Sequence, residues 1–260
     1  MPFIIYKNKS LHYRIKTPKH RDNEDHALIL IHGSGENSMV WKNQLEGLDL
    51  SIPLITVDLP SHGDSDYIEA ETLSLDFYVD AIKTLKEALN LKSVILGGHS
   101  LGGAIVQSYY FRYLEDITGL ILISTGGRLR VSPRILNHVK TDFDQFINTI
   151  SVASFYRKTP EDLIEPYIEE ISKVEPEVIH KDFKICDEFD ILDKVGEIKV
   201  PCLILVGKAD KLTPVKYQKY FDNYIDDSKL VIIDKAGHSV MLEQPSEINN
   251  QIEAFIESMV

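Results

Sequence analysis

The stretch Ser93-Val94-Ile95-Leu96-Gly97-Gly98-His99-Ser100-Leu101-Gly102-Gly103-Ala104-Ile105-Val106-Gln107 decides how the rest of the chain is read. Residues 93–96 form a run of strand length and residues 104–107 make a credible helix start, so the glycines between them span a strand-to-helix turn. In so tight a turn the central residue takes strained backbone angles and its neighbours must be small. Gly98, Ser100 and Gly102 make a GxSxG pattern there. The bare pattern is weak, because glycine and serine are common; the strand before it and the helix after it give it weight. The competing readings are a glycine-rich packing turn or a phosphate cradle. The stretch lacks both GxGxxG and a following Lys-Ser/Thr pair.

Similar apolar runs recur at 27–31, 52–57, 120–123, 202–206 and 230–233, as expected of strands buried on both faces. Most are separated by helical patterns, the clearest at 75–89, where Leu75, Val79, Ile82, Leu85 and Leu89 share one face. This alternation predicts an α/β fold, a doubly wound and mostly parallel sheet. Residues 3–7 and 11–16, joined by Asn8-Lys9-Ser10, read as a hairpin and therefore as an antiparallel edge, followed by a polar run over 17–26. The rhythm breaks between 126 and 199, a span too long for a βα connection. Residues 187–198 read as a helix returning to the sheet. That leaves 127–185 as a helical insertion, with 1–126 and 186–260 as the core. Ligands of doubly wound sheets bind beyond the carboxyl ends of the strands, where this insertion begins, so it is expected to act as a lid.

The chain has 260 residues, 28 Lys+Arg against 40 Asp+Glu, and a formal charge of −12. That balance argues against neutralising nucleic-acid phosphates or lying on an anionic membrane. Neither a signal peptide nor a bilayer-spanning run is read from the sequence, so the expected location is cytoplasmic, with no membrane partner. Cys186 and Cys202 form no CxxC pair and are expected to be packed free thiols. The sequence leaves the oligomeric state open.

A serine hydroxyl is a weak nucleophile at neutral pH unless a histidine accepts its proton and a carboxylate orients that histidine. Gly207-Lys208-Ala209-Asp210 puts a carboxylate after the strand at 202–206, and Asp234-Lys235-Ala236-Gly237-His238 puts a histidine after the next strand. Taken singly, Asp210 reads equally as a helix cap and His238 as a loop residue; together with Ser100 they leave the same edge of the sheet. His32-Gly33-Ser34-Gly35 follows the strand at 27–31, and the backbone amides of Ser34 and Leu101 are candidates to hold a developing oxyanion. His32 is expected to brace that loop.

With these residues in place the chain resembles the α/β-hydrolase superfamily over nearly its whole length. The order Ser, Asp, His matches it. So do Asp58-Leu59-Pro60-Ser61-His62-Gly63-Asp64-Ser65, similar to its strand-end turn, and Gly237-His238 with Leu242-Glu243-Gln244-Pro245, similar to its histidine loop. Ser61 departs from it, since many members have glycine there. The resemblance implies Ser100 as nucleophile, His238 as base, Asp210 as orienting acid, Ser34 and Leu101 as oxyanion donors, and structural roles for His62 and Asp64. It implies a serine hydrolase that cleaves carboxylic esters of small molecules through an acyl-enzyme, with no cofactor. The same fold also serves carbon–carbon bond hydrolases, lyases acting on carboxylated metabolites, and ligand receptors without turnover.

Phe143, Phe146, Phe155 and Tyr156 are the candidate substrate-binding residues of the insertion, with Tyr167 beside them; packing of the lid helices on one another is the alternative. Arg128, Arg130, Arg134 and Arg157 either meet a substrate carboxylate or form an exposed basic face. Trp41 is expected to pack the helix after the oxyanion loop. Nine histidines are present, yet no HxxxH or HExxH pair occurs, so no metal is expected.

Overall fold

Eight strands make one sheet in the computed structural model, which describes residues 1–18 and 25–259; residues 19–24 of the polar run, and residue 260, lie outside the described residues. The strands are β1 (Phe3–Tyr6), β2 (Lys9–Lys16), β3 (His26–Ile31), β4 (Leu54–Val57), β5 (Ser93–His99), β6 (Ile117–Ile123), β7 (Cys202–Gly207) and β8 (Ser228–Ile233). Their order is β1-β2-β4-β3-β5-β6-β7-β8. β2 pairs antiparallel with β1 and β4, and all other pairings are parallel. The hairpin turn is Lys7-Asn8, with φ of 48° and 64°, one residue earlier than the 8–10 loop expected. Two left-handed residues give the twist that a two-residue hairpin needs.

The helices are α1 (Lys42–Gly47), α2 (Leu75–Ala88), α3 (Leu101–Arg112), α4 (Pro133–Thr141), α5 (Phe143–Ser154), α6 (Glu161–Ile171), α7 (Pro176–Glu188), α8 (Val215–Tyr224), α9 (Val240–Glu243) and α10 (Pro245–Glu257). α2 starts where the Ser74 side chain accepts from the Phe77 amide, and it buries Val79, Ile82 and Leu85 in the core. Covered on both faces, β3 is wholly buried from Ala27 to Ile31, which is why its sequence does not alternate.

α4 to α7 fill the gap between β6 and β7, in the region expected to be helical. The helix expected over 187–198 is not there: α7 runs on to Glu188, and only a 3-10 turn follows at Leu192–Glu197. The cause is a backbone clasp. Leu129 N donates to Phe189 O at 3.3 Å and Ile191 N to Gly127 O at 2.7 Å, around an antiparallel bridge of Arg128 with Asp190. Extended pairing there excludes helix.

From β3 the chain steps to β4 on one side and later to β5 on the other, so the order reverses between β3 and β5. The loops leaving their carboxyl ends carry Ser34 and Ser100. Among the described residues no helix is long and apolar enough to cross a membrane, and both cysteines are free and buried.

Candidate active site

Ser100 stands between β5 and α3 at φ 52°, ψ −114°, a left-handed conformation that costs a non-glycine residue about 1–3 kcal/mol. The surroundings hold it there. Its amide donates to Ile123 O at 3.1 Å, and Thr125 Oγ1 donates to its carbonyl at 2.8 Å. A Cβ on Gly98 would overlap the carbonyl of Gly102, so the turn closes only with glycine at that position.

Asp210 leaves β7 and is buried. Its Oδ1 accepts from the amides of Leu212 at 2.9 Å and Thr213 at 2.8 Å. Its Oδ2 accepts from Thr213 Oγ1 at 2.8 Å and lies 3.0 Å from His238 Nδ1. Burial pushes this carboxyl up, but the facing imidazole and these hydrogen bonds more than offset it and hold it below the usual range. Burial likewise lowers His238, and Asp210 outweighs it, so the imidazole is raised. With Asp210 as an acceptor, Nδ1 carries the proton and Nε2 is left to accept one.

Ser100 and His238 line one cavity of about 240 Å³, together with Ser34. Among the described residues no hydrogen bond joins the serine hydroxyl to the imidazole directly, as is common before a substrate is bound. The amides on either side of Ser34 are engaged: Gly33 N donates to Glu36 Oε2 at 2.7 Å and Gly35 N to Asp182 Oδ2 at 3.1 Å. Those of Ser34 and Leu101 have no partner among the described residues, which leaves two donors for an incoming oxygen.

His32 braces the loop as expected. Its Nδ1 donates to Gly33 O at 2.8 Å and its Nε2 accepts from Leu59 N at 3.0 Å, the bonding of a neutral ring; burial, then His62, lowers it well below its ordinary range. His62 does more than shape its own turn: its Nε2 lies 3.0 Å from Asp182 Oδ2 on α7, and Tyr78 also donates to that carboxylate at 2.7 Å. Ser61 takes φ 70° where a glycine would be easier, and its hydroxyl bonds both the amide and the carbonyl of Ile68 at 2.9 Å. Asp64 is tied in by its amide, which donates to Asp58 Oδ2 at 3.1 Å. Trp41 is fully buried and stands edge-on to His99.

Of the four expected pocket aromatics, Phe146 lines the cavity, with Tyr167, Phe183, Ile135 and Ile150. Phe143, Phe155 and Tyr156 do not. Phe143 stacks against Phe146. The segment at 154–156 is pinned to the histidine loop instead: Ser239 N donates to Ser154 O at 2.9 Å, Tyr156 N donates to Glu243 Oε1 at 2.7 Å, and Phe155 packs edge-on against Tyr167. Among the arginines, Arg130 borders the cavity with Lys211, but it and Arg128 both pair with Asp190, at 3.3 and 2.6 Å. Cys186 lines it too, but burial pushes its thiol up to about 12, far from a reactive thiolate.

The sequence reading passed over Glu36, His99 and Asp182. A lone carboxylate three residues after Gly33, in a loop of otherwise small or polar residues, was the available signal for the first.

The model of the alpha/beta hydrolase family matches residues 28–251. AB hydrolase superfamily protein YisY of Bacillus subtilis (strain 168) is 30% identical over 256 residues, covering 89% of this chain and 91% of that protein. The pimeloyl-acyl-carrier-protein methyl ester esterase of Aliivibrio fischeri (strain MJ11) is 26% identical over 250 residues, covering 90% and 95%. The solved structure of a thermophilic esterase superposes with a TM-score of 0.86 at 35% identity, over 99% of this chain and 97% of that one.

Proposed function

The chain belongs to the alpha/beta hydrolase family, and from that premise we propose that it cleaves carboxylic esters of small molecules through an acyl-enzyme. The observation that carries the reading is the Asp210–His238 hydrogen bond beside the cavity that Ser100 lines. His238 Nε2 takes the Ser100 proton as Oγ attacks the ester carbonyl. The oxygen, now negative, is held by the Ser34 and Leu101 amides, each such donor being worth about 3 kcal/mol in the transition state. Asp210 keeps the imidazole in the required tautomer and stabilises its cationic form. The proton then passes from His238 to the departing alcohol, and water activated by the same ring releases the acid. The insertion roofs the site, and Phe146 forms part of the wall against which the acyl group packs. Esterases among the relatives and the solved structures support the choice of ester over other bonds.

Lys211 on the cavity wall favours one variant of this reading, in which the substrate carries a carboxylate remote from the scissile bond, Arg130 being already paired with Asp190. A panel of neutral and carboxylated esters, run beside a fluorophosphonate label, tests both. The expected result is ester turnover, with the label on Ser100, and Ser100→Ala almost inactive, since a convergent triad loses about 10⁶-fold in kcat when its serine is removed. A label elsewhere, with Ser100 unmodified and activity abolished, would sink the proposal.

A further inference from the structure

One carboxylate, Glu36, connects the loops that bear the site. Its Oε2 accepts from the Gly33 amide at 2.7 Å, beside the Ser34 amide, and lies 2.9 Å from His99 Nδ1 at the end of β5. Its Oε1 accepts from Tyr167 on α6 at 3.0 Å. On the far side of His99, Nε2 lies 3.1 Å from the carbonyl oxygen of His238. The oxyanion loop, the nucleophile strand, the insertion and the histidine loop thus meet through two side chains, only 2% and 1% exposed.

The hydrogen count at His99 fixes how the pair is bonded. A carbonyl oxygen has no proton to give, so Nε2 donates to His238 O. One further proton lies between Nδ1 and Glu36 Oε2, carried by either atom, and every polar group of the pair then has its partner.

We propose that Glu36 and His99 form a buried pair, joined through one proton, that positions the Ser34 amide and the His238 ring. Both are positioning residues, and their role rests on the serine-hydrolase reading above. The pair adds no net charge to the site. Its carboxyl end holds Gly33 and Tyr167, and its ring holds the His238 peptide, with the His99 and His238 rings 4.6 Å apart. The packing leaves no slack: a Cβ on Gly33 would sit 2.9 Å from Glu36 Oε2, 3.0 Å from His99 Nδ1 and 3.1 Å from Ser100 Cβ. A shift of the pair therefore moves the oxyanion loop relative to the nucleophile.

Two measurements test this. Proton spectra of the wild-type protein should show the proton between His99 Nδ1 and Glu36 as a downfield resonance protected from solvent exchange and lost in Glu36→Ala. This readout needs no turnover, so it stands even if the ester reading fails; absence of that resonance, or its persistence in Glu36→Ala, would overturn the pair. Glu36→Gln, nearly identical in size, should lower kcat about 10²-fold, the scale of an ångström of misplacement, while KM changes little. Wild-type kcat in that variant, or a loss confined to KM, would overturn the positioning role. If the variants do not fold, the wild-type spectrum alone decides.

Discussion

Replacing Asp210 by Asn keeps the shape of the group facing His238 and removes its charge. The expected loss in kcat is about 10⁴-fold, because an amide no longer fixes the tautomer or the imidazolium that forms. The pH profile carries a second expectation. Asp210 raises His238 above its ordinary value despite burial, so wild-type kcat/KM should fall, as pH drops, with an acid limb above about 6.5. In Asp210→Asn that limb should move to lower pH; an unmoved limb would show that another group governs it. Ser100, Asp210 and His238 were picked out as candidates because each follows a strand within a short recognisable motif. Glu36 and His99 were not, since the inward fold of Glu36 depends on Tyr167, 131 positions away, and no local pattern encodes such a contact.

α7 is fastened to the core by one buried carboxylate. Asp182 accepts from His62, Tyr78 and the Gly35 amide, so α7 and the loop after β3 share an anchor. Asp182→Ala should cost about 3–5 kcal/mol, the usual consequence of leaving a buried partner uncompensated, read from urea unfolding. Burial lowers His62, but Asp182 outweighs it and the ring is raised above its ordinary 6.5. A raised histidine stabilises the fold fully below about pH 6.5, and that contribution is lost as pH rises through the higher folded value. Stability should therefore decline from about pH 6.5 upward, and less steeply in His62→Gln; equal slopes would remove the ion pair from the account. Strand and helix alternation made the core elements readable in advance. The return path after α7 is not the helix expected because the clasp at 127–129 competes for its backbone, and such long-range pairing is invisible in a local window.

For the whole molecule, the cavity of about 240 Å³ sets a limit on the acyl group. Affinity should climb by about 0.8 kcal/mol per methylene until the space is filled, so kcat/KM over a series of acyl lengths should peak at short to medium chains. Phe146→Ala should move the peak to longer chains; Phe155→Ala, away from the cavity wall, should not, and an identical profile in both variants would remove Phe146 from the acyl wall. A chelator should leave turnover unchanged, and activity lost to it and restored by a divalent ion would refute the proposed mechanism. α4 to α7 leave the sheet after β6 and return before β7, closed at the base by Arg128 and Asp190, so a graft of this segment between relatives is expected to need only two neighbouring splice points and to leave both strands intact. A transplant that omits the equivalent of Asp182 should leave the Gly35 amide, His62 and Tyr78 without their shared acceptor, and such a chimaera is expected to be less stable than one that carries it.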